Sequence, residues 1–356
     1  MPAGKALTLV EVARRLGVSK STVSAAFTGR GTISANRRDS VRTAARELGY
    51  EPNPYAQRLV DGANADMVCL YVPGAGSPAG GRVMDAIQSY LVDRGISAPI
   101  YIAGKYLQDI DYHVSVLRGL RLQRPRAIVA ALRNLAPELR AELERYRDAG
   151  GILIGVDGYE QEDMGSDWVR FDRKHSAHMA ASYLIEQGHN RIGFYSSTPS
   201  SRDLAPGENP FYDGFVAAHT DAGLTVRPEW QISGAAHEPG GMDLAKRFLE
   251  MTDRPTGYFI IDDSAASAFI QQLVRRGVNV PGTVSVIGLD DIPAAEACIV
   301  PITTLKWPVA PMVDNVLQLL NSRLDGTYIG CRREIIVRAE LRIRESCRSN
   351  LCGFTR

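Results

Sequence analysis

A run of short polar side chains near the N terminus could hydrogen-bond to the edges of DNA bases. Between Ser19 and Thr28 the sequence reads SKSTVSAAFT, and helical spacing places Val23, Ala26 and Phe27 on one apolar face. The other face of this helix is short, polar and mildly basic: Lys20, Ser21, Thr22, Ser24 and Ala25. It holds no acidic residue that would repel phosphate, so the pattern suits a helix lying in a DNA major groove.

A second chemical signal comes from aspartates that follow apolar, strand-like runs in the C-terminal half. Asp262 and Asp263 follow GYFII, and Asp290 follows VSVIGL. Ligands of open α/β sheets bind beyond the carboxyl ends of the strands, where such side chains would lie. The alternative is that an aspartate caps the helix after its strand. We favour capping for Asp263, which precedes a predicted helix over 264–276.

The polar helix belongs to a predicted helix-turn-helix over residues 9–28. Thr8, with a glutamate three residues later, has the spacing of a capping box, and Gly17 ends the first helix where a positive φ is often needed. Ser34 would cap a third helix that ends at Gly49. The spacing alone is equally compatible with a helical hairpin that serves only packing.

The distribution of charge favours DNA binding. Residues 1–60 hold ten Lys and Arg against four acidic residues, a net charge of +6, whereas the rest of the chain holds 31 against 36, a net charge of −5. The near-neutral total of +1 therefore conceals a basic N-terminal segment. A basic surface attracts polyanions through counterion release.

Residues 51–63 connect this head to the rest of the chain. Pro54 fits the first position of a helix and Gly62 its end, but about eight residues are too few for a stable isolated helix in water. We expect this segment to be disordered alone and helical only when another surface supports it. A conditional linker between a DNA-binding head and a larger body needs this behaviour.

Beyond residue 63, short apolar runs alternate with helical patterns. Seven runs have the length and composition of buried strands: 68–72, 100–103, 127–131, 152–156, 192–195, 257–261 and 284–288. Strand–helix alternation predicts parallel sheets wound by helices on both faces, and the number of strands predicts two lobes with a ligand crevice between them.

The segments TLVEVARRLGVSKSTVSAAF and ISANRRDSVRTAARELGYEPNPYAQRL resemble the head and hinge of lactose-repressor-type transcription factors, the LacI/GalR family. The resemblance implies that the second helix reads the major groove and that Leu59 wedges into the minor groove at the operator centre. It assigns base reading to Lys20, Ser21 and Ala25, although relatives often carry a longer polar residue in place of Ala25.

The same resemblance implies further DNA-binding positions that contact the DNA backbone or support the reading helix. These are Ser19, Thr22, Ser24, Tyr50 and Asn53, with Thr8, Arg37 and Ala56 completing the set.

The body resembles the same family at the runs QGHNRIGF, RPTGYFI, VPGTVSVIGLDD and PITTL. The resemblance implies a periplasmic-binding-protein-like fold whose two lobes close on a small effector. Asp290 matches an effector-contacting aspartate, and Asp262 lies where relatives often carry a pocket-facing asparagine. Phe211 replaces an arginine of sugar-binding relatives, for which Arg202 could substitute, so we leave the effector unnamed.

Together these features predict a small all-α helix-turn-helix head and an α/β body made of two doubly wound parallel sheets. The predicted boundaries are 1–50 for the head, 51–63 for a hinge helix, 64–345 for the body and 346–356 for a mobile tail. We expect lobe one at about 64–170 and 305–332, and lobe two at about 171–304 and 333–345.

No catalytic motif or metal-ligand cluster is evident, so we expect no cofactor, no metal and no enzymatic activity. Five scattered cysteines, with neither a signal peptide nor an apolar run of transmembrane length, predict reduced thiols in a cytoplasmic protein without membrane contact.

The favoured hypothesis is a homodimeric transcriptional regulator, a repressor, that binds a near-palindromic operator in double-stranded DNA. A small-molecule effector, a carbohydrate or related metabolite, would control it. Three alternatives stay open. They are a solute-binding protein whose head serves only packing, a regulator controlled by a protein partner, and an enzyme that uses the crevice aspartates.

Overall fold

The computed structural model describes residues 9–28, 33–48, 50, 64–72, 78–102, 109–132, 136–157, 164–196 and 209–348. The predictions made for Thr8, for residues 51–63, for Arg202 and for residues 349–356 lie outside these ranges. The chain divides into two compact units: an N-terminal unit of residues 1–65 and a larger unit that holds nearly all of the rest.

The described part of the N-terminal unit contains the helices α1 Leu9–Arg15, α2 Lys20–Thr28 and α3 Ala35–Glu47. Gly17 has a φ of 63° between α1 and α2, as predicted. Ser34 caps α3, and its side chain accepts a hydrogen bond from the backbone N–H of Arg37. The apolar faces of the three helices meet in one small core, whose most buried members are Val12, Val23, Ala26 and Ala45.

The described strands are β1 Asn64–Val72, β2 Ile100–Ile102, β3 Pro125–Ala131, β4 Ile152–Val156, β5 Asp167–Phe171, β6 Ile192–Ser196, β7 Gln231–Ser233, β8 Gly257–Ile260, β9 Ser285–Asp290, β10 Thr303–Lys306, β11 Glu334–Val337 and β12 Glu340–Arg342. The helices that accompany them are α4 Pro78–Val92, α5 Ile110–Gln123, α6 Pro137–Asp148, α7 Arg173–Glu186, α8 Pro210–Asp221, α9 His237–Glu250, α10 Asp263–Arg275, α11 Pro293–Glu296 and α12 Val309–Leu324. Among the described residues, no helix is both long and apolar enough to cross a bilayer.

The strands form two six-stranded sheets, one in each lobe. The sheet of lobe one has the order β11-β5-β4-β3-β1-β2, and the sheet of lobe two has the order β12-β10-β9-β8-β6-β7. The described pairings are parallel except for β10 with β12. This doubly wound arrangement confirms the predicted fold class.

Helices cover both faces of each sheet, which explains the continuous apolar runs in the sequence. In β1, Met67, Cys69 and Tyr71 pack into one buried cluster, whereas the alternate residues Val68 and Leu70 pack into another. Each strand therefore needs apolar residues at consecutive positions rather than at every second one.

The chain crosses between the lobes three times, and the predicted lobe boundaries need correction at the two later crossings. β11 pairs with β5 in lobe one, so residues 334–337 do not belong to lobe two. β10 extends to Lys306 in the sheet of lobe two, so residues 305–306 do not belong to lobe one. A crossing strand carries the same apolar pattern in both lobes, and only its pairing partner reveals where the crossing lies.

Two further predictions differ from the structure. β5, β7 and β10 to β12 were missed because they are short or, like β5 with the sequence DWVRF, carry charged residues. The tail is not mobile from residue 346. The Ser346 hydroxyl donates to the carbonyl of Val286 at 2.6 Å and accepts from the N–H of Thr303 at 2.8 Å, so this residue is fully buried against lobe two.

We expect Gly214→Ala to destabilise the protein, because α7 and α8 approach each other at this glycine. A Cβ atom there would collide with the carbonyl oxygen of Lys174. The expected loss is about 1–3 kcal/mol of unfolding free energy, measured by urea denaturation. The matched control is Gly119→Ala, a helical glycine where an added Cβ would meet no described neighbour within 4 Å. It should be neutral or stabilising by up to about 1 kcal/mol, and equal effects of both changes would contradict this account of the packing.

Candidate functional site

The N terminus of α2 presents a linked set of hydroxyl groups. The Oγ atom of Ser19 accepts a hydrogen bond from the backbone N–H of Thr22 at 3.1 Å, as expected of an N-cap. The same Oγ lies 2.7 Å from the hydroxyl of Ser21 and 2.8 Å from that of Thr22. Lys20 and Ser21 are exposed at this end, while Thr22 and Ser24 are half-buried. Hydroxyls, a lysine and the positive end of the helix dipole together form a surface that attracts phosphate.

The opposite side of α2 is fixed by the core of the head. Phe27 packs edge-on against Tyr50, with ring centroids 5.6 Å apart, and burial raises the pKa of the Tyr50 phenol. The Nε of Arg42 on α3 donates to the carbonyl of Ala26 at 2.6 Å. Tyr50 was predicted either to contact the DNA backbone or to support the reading helix, and its contact with Phe27 favours the second role.

Ala25, predicted to lie on the exposed face of α2, is only 9% exposed. Its role in base reading stays a prediction. Arg37 is exposed in the first turn of α3. Thr8, Asn53, Ala56 and Leu59 lie outside the described residues, so their predicted DNA contacts stay predictions.

In the body, polar and aromatic side chains gather at the carboxyl ends of strands in both lobes. Asp157 follows β4, and Phe171 ends β5. Asp290 ends β9 and pairs in register with Lys306, so that Trp307 follows at the adjacent strand end. Both sheets therefore place their strand ends where an α/β fold binds ligands.

An aromatic cluster lies at these strand ends. The rings of Phe171 and Trp307 are 3.9 Å apart between centroids, and the ring of Phe211, at the start of α8, is 6.2 Å from that of Phe171. Trp307 is 4% exposed, and its indole N–H has no hydrogen-bond partner among the described residues. A buried N–H of this kind can donate to an oxygen of a bound ligand.

Two arginines complete the charged part of this region. The guanidinium of Arg173 donates to the carboxylate of Asp157 and, at 2.9 Å, to its carbonyl. Arg82, near the start of α4 in lobe one, donates from Nη2 to the carbonyl of Asp290 in lobe two at 3.2 Å. The second contact joins the two lobes directly at the strand ends.

Asp262, which was predicted to face the effector, caps α10. Its Oδ1 accepts from the backbone N–H groups of Ser264 and Ala265 at 2.8 and 3.1 Å, and its Oδ2 accepts from the N–H of His237 at 2.8 Å. Both oxygens are therefore used within lobe two. The helix begins one residue earlier than predicted, so Asp262 takes the capping role expected of Asp263.

Asp263 is fully buried and ties three elements together. Its Oδ1 accepts from the hydroxyl of Thr304 on β10 at 2.7 Å, and its Oδ2 accepts from the N–H of Ile292 at 3.2 Å. A Cβ atom at Gly288 would collide with this carboxylate, so β9 needs glycine there. Burial raises the pKa of Asp263 to about 7.

Sequence reasoning found Asp290 and Phe211 in this region but missed four neighbours: Arg82, Asp157, Arg173 and Trp307. Asp157 directly follows an apolar run, which is the signal that had identified Asp290, whereas Trp307 follows the charged Lys306 and carries no such signal. Arg82 and Arg173 lie near the starts of helices and carry no comparable local signal. Among the described residues, no group of His, Cys, Asp and Glu could hold a metal ion.

Two family models match the chain. Residues 8–53 match "Bacterial regulatory proteins, lacI family", and residues 181–347 match "Periplasmic binding protein-like domain".

Similar proteins extend the likeness over most of the chain. The transcriptional regulator GalS of Salmonella typhimurium is 28% identical over 340 residues, which cover 93% of this chain and 95% of GalS. A Lac repressor dimer bound to operator and the anti-inducer ONPF has a TM-score of 0.76 at 20% identity, covering 96% of this chain and 99% of that one. A complex of the transcriptional regulator CelR with cellobiose has a TM-score of 0.67 at 23% identity, covering 96% and 100%.

The pH dependence of the unfolding free energy tests the burial of Asp263. Because the pKa is about 7 in the folded protein and 3.8 ordinarily, the folded state holds more protons than the unfolded chain between these values. The stabilising contribution of this group is thus complete below about pH 4 and is lost as the pH rises through about 7. Asp263→Asn removes the titration, so the unfolding free energy of the variant relative to wild type should increase from about pH 5 to about pH 8.

Urea denaturation at several pH values measures this difference. Asp243→Asn, an exposed change on α9, is the control and should show no such trend. A relative stability of Asp263→Asn that stays constant across this pH range would contradict the assignment.

Proposed function

We propose, from the match of residues 8–53 to bacterial regulatory proteins of the lacI family and of residues 181–347 to periplasmic binding protein-like domains, that the chain is a sequence-specific DNA-binding regulator of transcription. It would act as a repressor controlled by a small-molecule effector. The observation that carries this proposal is the match of residues 8–53 to the family, joined to a body with two lobes. Such a regulator acts on chromosomal DNA in the cytoplasm.

The head supplies the DNA-binding half of this function. Lys20 and Ser21, exposed at the N terminus of α2, are placed to reach base edges, because the first residues of a recognition helix do so in helix-turn-helix proteins. Ser19 and Thr22 would bind phosphate beside them. Two copies of the chain would read the two halves of a near-palindromic operator, and the Lac repressor to which this fold is similar binds its operator as a dimer.

The strand ends of the body supply the effector half. Trp307 offers an indole ring with an N–H donor, Phe211 adds a second ring, and Asp290, a residue that is 6% exposed, offers a carboxylate. Rings with a few fixed polar groups suit a compact ligand that has apolar faces and hydroxyl groups, such as a sugar or a related metabolite. The CelR structure, similar in fold, holds cellobiose.

The contact between Arg82 and the Asp290 carbonyl offers a physical route for control. It links the lobes beside the proposed effector, so a ligand that replaces it or strengthens it favours one arrangement of the lobes over another. A coupling of about 1–3 kcal/mol between the effector and the operator would change operator affinity by about 5–150-fold.

The alternatives predict different behaviour. A solute-binding protein without a DNA role would not need the LacI-type head, and the relatives named above are transcriptional regulators rather than enzymes. Control by a protein partner would leave the aromatic cluster of the body without a ligand. Control of DNA binding by a small molecule gives each of these parts a role: the head binds DNA, the aromatic cluster binds the effector, and the link between the lobes couples the two.

Lys20→Ala tests the DNA half of the proposal. If Lys20 donates to a guanine, its loss should relax the preference at one base position of each half-site by about 1–3 kcal/mol, while preferences at other positions persist. The measurement is duplex selection from a random pool, with exposed Lys246→Ala on α9 as the control that leaves the pattern unchanged. Uniform weakening on every sequence would show that Lys20 contacts only phosphate.

A further inference from the structure

One stretch of the acidic body is strongly basic. Residues 118–147 hold eight arginines and three acidic residues, a net charge of +5, whereas all residues after position 60 together carry −5. The remainder of the chain after position 60 therefore carries −10. This stretch covers the end of α5, strand β3 and nearly all of α6.

Three arginines of this stretch converge on one buried carboxylate. Glu142 of α6 is 2% exposed and accepts from Arg145 at 2.6 Å and from Arg121 at 3.1 Å, while the guanidinium of Arg118 lies 3.6 Å away. Burial alone would raise the pKa of Glu142, but the hydrogen bond from Arg121 and the three positive charges hold it below its ordinary value. We call Arg118, Arg121 and Arg145 the arginine face.

The arginine face has more positive charge than its own carboxylate neutralises. One Glu142 offsets one of three guanidinium charges, which leaves a local charge of about +2. The side chains of Arg118 and Arg145 are 57% and 60% exposed, so their charges reach the surface. Arg145 is hydrogen-bonded to the buried carboxylate and Arg118 lies 3.6 Å from it, so the carboxylate keeps both exposed arginines on one face of the protein.

We propose that the arginine face binds the phosphodiester backbone of DNA, in addition to the contacts made by the head; this rests on the proposed function. Arg118 of α5 and Arg145 of α6 both present exposed guanidiniums beside Glu142, and a guanidinium can form paired hydrogen bonds to phosphate oxygens. A polyanion is repelled by the net charge of −10 elsewhere in the body, so the arginine face is where charge complementarity directs it.

The test compares two charge-matched double variants of the full chain. Arg118→Gln/Arg145→Gln removes the two exposed members of the arginine face and leaves Arg121 paired with Glu142. Arg227→Gln/Arg247→Gln removes two arginines of lobe two that are 47% and 52% exposed and that also pair with carboxylates. DNA affinity is measured against salt concentration for each, on the selected operator and on a scrambled duplex.

Loss of two phosphate contacts should make the slope of log affinity against log salt less steep by about 1.8. A fourfold rise in salt then costs wild type about 12-fold more affinity than it costs the arginine-face variant. The ratio of operator to scrambled affinity should stay unchanged, because phosphate contacts carry no sequence information. The lobe-two variant should keep the wild-type slope.

An unchanged slope in the arginine-face variant, or an equal change in the lobe-two variant, would overturn the proposal. These outcomes are separate from failure of the proposed function, which would appear as a wild-type protein with no preference for any sequence. Unfolding midpoints of both variants that equal the wild-type midpoint would confirm that neither change acts through the fold.

Discussion

The geometry of the body depends on one unfavourable turn at the end of β9. Asp290 and Asp291 have φ values of 113° and 53°, in a region that costs a residue other than glycine about 1–3 kcal/mol. Aspartate tolerates the left-handed region better than most residues, but two in succession need outside support. Three hydrogen bonds supply it. The N–H of Ile292 donates to the carboxylate of Asp263, the guanidinium of Arg344 donates to the carboxylate of Asp291 at 2.7 Å, and Arg82 donates to the carbonyl of Asp290.

These three contacts come from different parts of the fold, so the turn connects segments of both lobes. Asp263 belongs to α10 of lobe two, Arg344 follows the last strand, and Arg82 belongs to α4 of lobe one. The conformation of the turn therefore depends on the positions of both lobes. The turn also carries Asp290, at the strand end adjacent to the one that Trp307 follows. In the proposed mechanism, an effector that contacts Asp290 acts on a turn whose conformation already depends on contacts from both lobes. Packed segments of this kind switch between distinct conformations rather than deforming continuously.

Sequence patterns predicted those elements whose formation depends only on residues nearby in the chain. The helix-turn-helix followed from caps, glycines and apolar spacing within 20 residues, and the strands buried on both faces followed from uninterrupted apolar runs. These patterns failed where the outcome depends on pairing. β11 looks like any short strand, and only its hydrogen bonds to β5 assign it to lobe one. The capping role was assigned to Asp263 rather than to Asp262 because the choice between adjacent aspartates depends only on where the helix starts.

The binding region was predicted in part for the same reason. Asp290 and Phe211 stood out by position, but Arg82 is brought to Asp290 across 208 residues by the packing of two lobes, and no local pattern contains that information. Burial of Ala25 was likewise not readable, since a small residue fits either face of a helix. Residues that act through distant contacts need the folded structure to be recognised.

The central claim is that this chain is a regulator whose α2 helices read a two-fold symmetric DNA site. Selection of preferred duplexes from a random pool by the purified full-length protein tests it most directly. The account predicts enrichment of a near-palindrome whose half-sites are separated by about one helical turn or less of DNA, with a flexible step at its centre. Binding without enrichment of any sequence, with metabolite extract present as well as absent, would contradict it.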